Sequence, residues 1–210
     1  MRVTGLVLAA GGSRRLGRPK QLLPYHGTTL LGATLDRARS FGLDQLLVTL
    51  GGASEDVLEG LDTTGAEVVL NPAFSTGCSS SIAVAVDRVD PESAGIVLLL
   101  GDQPEVPVEA VRSLLDAVAD SDDRPGGRAP MGACRYADGI GHPFWLGREV
   151  FDELRRLHGD KAVWKLMDAR ADEAVHADVA GTVPRDVDTW EDYEALLASA
   201  ASGAGPVGAT

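Results

Sequence analysis

The stretch Val3–Lys20, Val-Thr-Gly-Leu-Val-Leu-Ala-Ala-Gly-Gly-Ser-Arg-Arg-Leu-Gly-Arg-Pro-Lys, decides the architecture. Val3 to Ala9 is a continuous apolar run that ends in a glycine turn. Runs of the same kind follow at Gln45 to Leu50, Glu67 to Leu70 and Ile96 to Leu100. Unbroken rather than alternating apolar character predicts strands covered on both faces. Helical patterns separate them at Thr29 to Ser40, Ser54 to Leu61 and Cys78 to Asp87, and a fourth, Pro107 to Ala119, begins at a tolerated proline. Strand and helix in alternation predict an α/β fold with a mostly parallel central sheet flanked by helices. The second half is less regular. Met131 to Tyr136 and Pro143 to Leu146 read as strands, and Arg148 to Leu157, Lys161 to Ala169 and Trp190 to Ala200 as helices. Asp120 to Arg128 reads as a loop, and the Gly/Ala-rich end, residues 201–210, as a flexible tail.

Each of the first four strands ends in residues suited to a ligand: Ala10-Gly11-Gly12, Gly51-Gly52, Asn71-Pro72 and Gly101-Asp102. In open parallel sheets ligands sit outside the carboxyl ends of the strands, so four such ends predict a nucleotide-sized pocket.

The 210 residues suit one domain with a real core. The net charge of −12 argues against nucleic acid as a partner. The charge is unevenly placed: residues 1–35 hold five Lys and Arg and no acid, leaving a net of −17 for the rest. That asymmetry predicts a local anion site. No apolar run is long enough to cross a membrane, no secretory signal is evident, and two cysteines make neither a disulfide framework nor a zinc cluster. A cytoplasmic location and no membrane partner are the expectation.

The chemistry starts at the glycine turn. Its backbone N–H groups suit one anion, and Arg14, Arg15, Arg18 and Lys20 add charge around it, as a triphosphate requires. The spacing is not a Walker A loop, because Arg18-Pro19 follows Gly17, and it is not a dinucleotide fingerprint. Asp102 closes an apolar strand in Leu-Gly-Asp-Gln-Pro and suits Mg²⁺ against phosphate oxygens. Asp188, in Asp186-Val-Asp188-Thr189, is the expected second metal ligand, with one of Asp186 and Asp188 facing the pocket and the other solvent. Thr189 with Asp192 three residues on suits a helix cap. In Asn71 to Ile82, Ser79, Ser80 and Ser81 either cap the following helix or, with Asn71, reach a base or ribose. His142, before Pro143, is a structural or substrate-contacting residue. Cys78 has no nearby histidine and is expected to be inert.

The segment LAAGGSRRLGRPKQLLP resembles the LAAGxSxRMGxxKxLLP signature of the molybdenum cofactor cytidylyltransferases, within the wider nucleotidyltransferase superfamily. NPAFSTGCSSSI, LLLGDQP, GIGHPFWLGREVFDEL, HGD at 158–160 and DVDTWEDYEALL fit the same family in order. The resemblance implies a Rossmann-like glycosyltransferase-A fold. It implies one domain over 1–200, with a nucleotide-binding half at 1–105 and an acceptor-binding half at 106–200. The implied reaction transfers CMP from CTP to the terminal phosphate of molybdenum-molybdopterin and releases pyrophosphate, with Mg²⁺ as cofactor. A molybdoenzyme or its maturation chaperone is a further implied partner.

Carried over by position, Arg15, Lys20 and Asp102 are the implied catalytic residues, and Asp102 and Asp188 the implied metal ligands. Leu8, Ala9 and Ala10 lie against the base; Gly11, Gly12, Ser13, Arg14, Gly51, Asn71 and Ser81 complete the implied nucleotide site. Ala10 favours cytidine, because guanylyl-transferring relatives read LAGG there. His142 and Asp160 are the implied acceptor contacts. The chain departs from the family at Leu16 (usually Met), Trp164 (usually Arg) and Trp190 (usually Pro). Other readings are transfer to a sugar phosphate or to methylerythritol phosphate, a glycosyltransferase of the same fold, and a non-catalytic nucleotide-binding partner of a molybdoenzyme.

Overall fold

The computed structural model describes residues 1–122 and 127–203. Its centre is a seven-stranded sheet built from β1 (Thr4–Leu8), β4 (Gln45–Leu50), β5 (Glu67–Leu70), β6 (Gly95–Leu100), β7 (Met131–Tyr136), β8 (Gly139–Gly147) and β9 (Ala174–Asp178). The order is β5-β4-β1-β6-β8-β7-β9. The β5-β4-β1-β6 portion is parallel. β8 is antiparallel to both β6 and β7, and β9 returns parallel to β7. A two-stranded hairpin, β2 (Pro24–Tyr25) and β3 (Thr28–Thr29), lies apart. The helices are α1 (Leu30–Arg39), α2 (Ser54–Gly60), α3 (Cys78–Val86), α4 (Val108–Ala119), α5 (Phe151–Leu154), α6 (Ala162–Ala169) and α7 (Trp190–Gly203).

Both sheet faces are covered, which is why the strands are continuously apolar. Val7, Val48, Leu50, Val97 and Leu99 face one core with residues of α1, α2 and α4. Their neighbours Leu6, Leu47, Val69, Ile96 and Leu98 face the other, with α3, α5 and α6. A third cluster joins Leu16, Leu23, Tyr25 and Leu30 near the amino terminus to Val187, Tyr193 and Leu196, so α7 is anchored beside the glycine turn. Among the described residues no helix is long and apolar enough to cross a membrane.

Local chemistry explains the boundaries. The Thr29 hydroxyl accepts from the Gly32 N–H at 3.1 Å and starts α1. Thr189 and Asp192 form the expected capping box: the Thr189 N–H donates to Asp192 Oδ2 at 2.8 Å, and the Asp192 N–H to Thr189 Oγ1 at 3.2 Å. The serines do not cap α3. Gly77 stands at that position with no side-chain cap, and Ser79, Ser80 and Ser81 lie within the first turns.

The structure departs from the expectations at five places. The strand foreseen at Pro143–Leu146 is the longer β8, which passes through Pro143 by means of a bulge. Ala133 pairs with Phe144 and Cys134 with Gly141, so His142 and Pro143 drop out of the β7 ladder, and the missing proline N–H breaks no pair. The helix foreseen at Arg148–Leu157 is a 3-10 turn followed by the single turn α5. β9 escaped notice because it is a short edge strand in which only Val175 and Ala177 are buried. The hairpin turn His26-Gly27, with φ of 46° and 82°, is a pair of left-handed positions that a two-residue hairpin favours. At the carboxyl end α7 continues to Gly203; residues 204–210 of the foreseen tail, and 123–126 of the foreseen loop, lie outside the described residues.

Candidate active site

A cleft of about 730 Å³ opens at the carboxyl ends of β1 and β6. After β1 the chain bends through Ala9 to Gly12, and Ser13 takes φ 47°, a left-handed conformation that turns the chain back. The Lys20 N–H then donates to Ser13 Oγ at 2.9 Å. Gln21 ties down the bend: its Nε2 donates to the carbonyls of Ala9 at 2.6 Å and Gly11 at 3.0 Å. The N–H groups of Ala10, Gly11 and Gly12 have no backbone partner among the described residues. The bend is therefore a set of free donors with its carbonyls engaged elsewhere, the arrangement an anion needs.

Lys20 reaches across the mouth. Its Nζ donates to Asp102 Oδ2 at 2.7 Å, to the Val187 carbonyl at 2.9 Å and to Asp188 Oδ1 at 3.0 Å. The Val187 N–H donates to the same Asp102 oxygen at 3.1 Å. Burial pulls the Lys20 ammonium down, but Asp102 and Asp188 outweigh it and leave its pKa above the ordinary value. Residues 20, 102 and 188 thus form one ion cluster. Asp102 Oδ1 accepts no hydrogen bond from the described residues.

Asp186 belongs to the cluster as well. Two residues apart on an extended segment share a face, so Asp186 and Asp188 both line the cleft while Val187 between them is buried. The expectation that they face opposite ways fails for that reason. Gln103 Nε2 donates to Asp186 Oδ1 at 2.7 Å and to the Pro184 carbonyl at 2.8 Å. Burial, and then the charge of Asp102, push the Asp186 carboxyl up.

Of the residues expected from the sequence, Leu8, Ala9, Ala10, Gly11, Gly12, Arg14, Lys20, Ser81, Asp102, His142, Asp160 and Asp188 line the cleft. Four do not. Ser13 supports the bend from behind. Arg15 lies on the outer rim, 73% exposed and 3.8 Å from Asp188. Gly51 is closed off by Phe74, whose ring carbons come within 2.7 Å of where a Gly51 Cβ would be; the Ala10 carbonyl lies 2.5 Å from the same point. Asn71 is 1% exposed and holds the helix start, donating from Nδ2 to the hydroxyls of Ser80 at 2.8 Å and Ser81 at 2.9 Å. The ends of β1 and β6 therefore line the cleft, while Phe74 stands in front of the others.

The far wall comes from the second half. His142 is released from the ladder by the β8 bulge, and its ring stacks on Phe144 with centroids 4.1 Å apart. Burial holds its pKa down at about 3, so the imidazole is neutral. Trp164 meets Phe144 edge-on at 4.8 Å. Asp160 Oδ1 accepts from the Cys78 N–H at 3.0 Å, joining the two walls. Gly77 lets them meet: it takes φ 117°, and a Cβ there would lie 2.8 Å from the Gly159 backbone. Burial, then Asp160, push the Cys78 thiol up to about 11, and it donates to the Asp160 carbonyl at 2.9 Å, consistent with an inert thiol.

Sequence comparison agrees with this geometry. The model of the MobA-like NTP transferase domain matches residues 5–175. The chain belongs to that family. Among solved structures of similar proteins, Rv0371c from Mycobacterium tuberculosis H37Rv is 50% identical with a TM-score of 0.85, over 94% of this chain and 98% of that one. A structure of Rv0371c described as a complex with manganese is 48% identical with a TM-score of 0.82, over 95% of this chain and all of the other. Among curated proteins, the Bifunctional IPC transferase and DIPP synthase of Rubrobacter xylanophilus is 34% identical over 98% of this chain. The Nicotine blue oxidoreductase of Paenarthrobacter nicotinovorans is 36% identical over 54% of this chain. The matches span 55% of the length of each of these two curated relatives. For this MobA-like domain the comparison leaves out the segment after 175, which carries Asp186, Asp188 and α7.

Proposed function

We propose that the protein is a nucleotidyltransferase that moves CMP from CTP to the terminal phosphate of molybdenum-molybdopterin and releases pyrophosphate. The observation that carries the reading is the cluster in which Lys20 bridges Asp102 and Asp188 beside a bend of free N–H groups. Membership of the MobA-like family and the resemblance of the amino-terminal segment support it. The choice of CTP rests on Ala10, and the choice of acceptor on the resemblance of the later blocks.

The residues fit a divalent cation. Two carboxylates already converge on one positive charge, the Lys20 ammonium, and Asp102 Oδ1 is left without a protein donor. Carboxylate oxygens are the hard donors that Mg²⁺ takes. Among the described residues no three His, Cys, Asp or Glu side chains converge on a metal. Mg²⁺ commonly takes one or two carboxylates and fills its shell with phosphate and water. The manganese structure of Rv0371c supports a divalent site in this group. We assign Asp102 and Asp188 as its ligands; when bound, the ion would neutralise phosphate charge and help the pyrophosphate depart.

The chain's own residues supply the rest. The free N–H groups of the bend and the Arg14 side chain hold the phosphates. Lys20, released from its carboxylates when phosphate competes for it, balances the charge that accumulates on the leaving group. The acceptor is a phosphate and already an anion, so no side chain need remove a proton. Arg15, on the rim, closes over the phosphates from outside.

The test is pyrophosphate release with CTP or GTP, Mg²⁺, and either extracted molybdopterin cofactor or sugar phosphates. Release that requires both CTP and the pterin cofactor is the expected result. Release with none of the acceptors, or a clear preference for a sugar phosphate, overturns the reading.

A further inference from the structure

Two glycines make room for one ring. The Phe74 side chain is half-buried and lines the cleft. Its Cζ lies 2.5 Å from where a Gly52 Cβ would be, and its Cγ 2.7 Å from that of Gly51. A side chain at either position would displace it. Its Cε2 lies 3.7 Å from the Gly12 Cβ position, an ordinary contact distance, so the ring runs along the end of β4 and beside the bend. The turn that carries Phe74 is braced. The Phe74 N–H donates to the Asn71 carbonyl at 3.3 Å, and the Ala73 N–H to Asn71 Oδ1 at 2.9 Å. Asn71 Nδ2 is spent on the Ser80 and Ser81 hydroxyls, and the Ser80 hydroxyl donates to the Gly77 carbonyl at 2.8 Å. Asn71 and Gly51 were expected to contact the nucleotide. Asn71 ties the turn, Gly51 and Gly52 leave the space, and what this side of the cleft presents to a ligand is the ring.

We propose that Phe74 is a base-selecting residue: its ring fills the space over Gly51 and Gly52, and the slot left between it and the ends of β1 and β6 admits a single-ring base and shuts out a fused two-ring one. The inference rests on the cleft being a nucleotidyltransferase site, and it adds which side chain limits the base. The selection works by exclusion. A packed site that must take extra ring atoms has to shift its walls, and a turn tied at Asn71 resists the shift. The Ala10 carbonyl lies 2.5 Å from the same Gly51 Cβ position, so the bend and the ring meet there with no gap for a larger base to enter.

The test measures the affinity of the full chain for CTP and for GTP by calorimetry in the presence of Mg²⁺. The wild type is expected to bind CTP more tightly than GTP by about tenfold or more. Phe74→Ala opens the space over the two glycines. It is expected to cut that preference by about fivefold or more through tighter GTP binding, with CTP affinity within about threefold of the wild type. The gain of purine binding is the informative reading, because a variant that was merely loosened would lose both nucleotides. Phe74→Leu keeps most of the bulk and is expected to hold the preference within about threefold. Where melting curves show that Phe74→Ala has lost the fold, Phe74→Val carries the same expectation. An unchanged preference on truncation, a Phe74→Leu that behaves as Phe74→Ala does, a parallel loss of both nucleotides, or a wild type that does not favour CTP overturns the proposal. The parent reading fails differently: the wild type would then bind neither nucleotide, or no acceptor would release pyrophosphate, whatever the ratio in the Phe74 variants.

Discussion

At the scale of single residues, Lys20 carries the heaviest duty. It is held at 2.7 Å from one carboxylate and 3.0 Å from another, and it is also the group to which we assign the contact with phosphate. Lys20→Ala and Asp102→Ala are each expected to lower turnover by about a hundredfold or more, the usual loss when a group aimed at developing charge is removed. Steady-state kinetics on folded variants check this, and wild-type rates in both would remove the assignment. His142 gives a prediction of another kind. Burial holds its folded pKa at about 3, whereas an unfolded chain protonates histidine near 6.5. Between those values the unfolded chain binds one more proton than the native one, so stability falls as pH falls. The contribution is whole above pH ~6.5, and about 2 kcal/mol of it is gone by pH 5. Urea midpoints measured from pH 7 to pH 5 should therefore drop more steeply in the wild type than in His142→Asn. Parallel profiles would show that the imidazole is not held neutral. The charged end of the site was legible because its cations lie within one short segment whose lack of acids stands out. Gln21, Phe74, Gln103 and Trp164 were not singled out as site residues, and of Asp186 and Asp188 only one was expected to face the pocket. Gln21 and Gln103 follow Lys20 and Asp102 directly, but their side chains act through carbonyls and a carboxylate that no local spacing announces, and Phe74 and Trp164 meet the cleft only through the fold.

At the scale of elements, the parallel half was legible almost to the residue, because strands buried on both faces leave unbroken apolar runs. The later strands were harder to read for a physical reason. β8 changes partners along its length, and its bulge sets a proline inside a central strand, which ordinarily argues against one. The bulge is also what carries His142 into the cleft, so the irregularity that obscured the strand is part of the site. α7 offers a direct test of local reading. Its capping box joins Thr189 and Asp192, and Thr189 follows directly on Asp188. Thr189→Ala is expected to cost about 1 kcal/mol of stability. It should also raise the concentration of divalent cation needed for half-maximal turnover, because the backbone beside Asp188 loses its anchor. A stability loss with an unchanged metal requirement would show that the cap serves the helix alone.

At the scale of the whole molecule, β6 is the hinge line of the design: parallel to β1 on one side and antiparallel to β8 on the other. The cleft spans that junction, so a ligand in it touches both halves. CTP with Mg²⁺ is accordingly expected to raise the melting temperature, by a stabilisation of up to ~2.7 kcal/mol when free ligand is a hundredfold above its Kd. Chelation with EDTA should abolish most of that shift, because the carboxylates of Asp102 and Asp188 would again repel the phosphates. A CTP-induced shift that survives EDTA undiminished would remove the metal from the account. The placement of Val187 has a practical consequence. Its N–H grips Asp102 and its carbonyl grips Lys20, so the segment that leads into α7 works as a strap buckled across the glycine bend and the end of β6. A protease that nicked the chain ahead of Val187 would leave the amino-terminal signature intact and still loosen the buckle. Shortened or fused versions of this protein should keep the carboxyl-terminal helix, although the family model's match ends at residue 175.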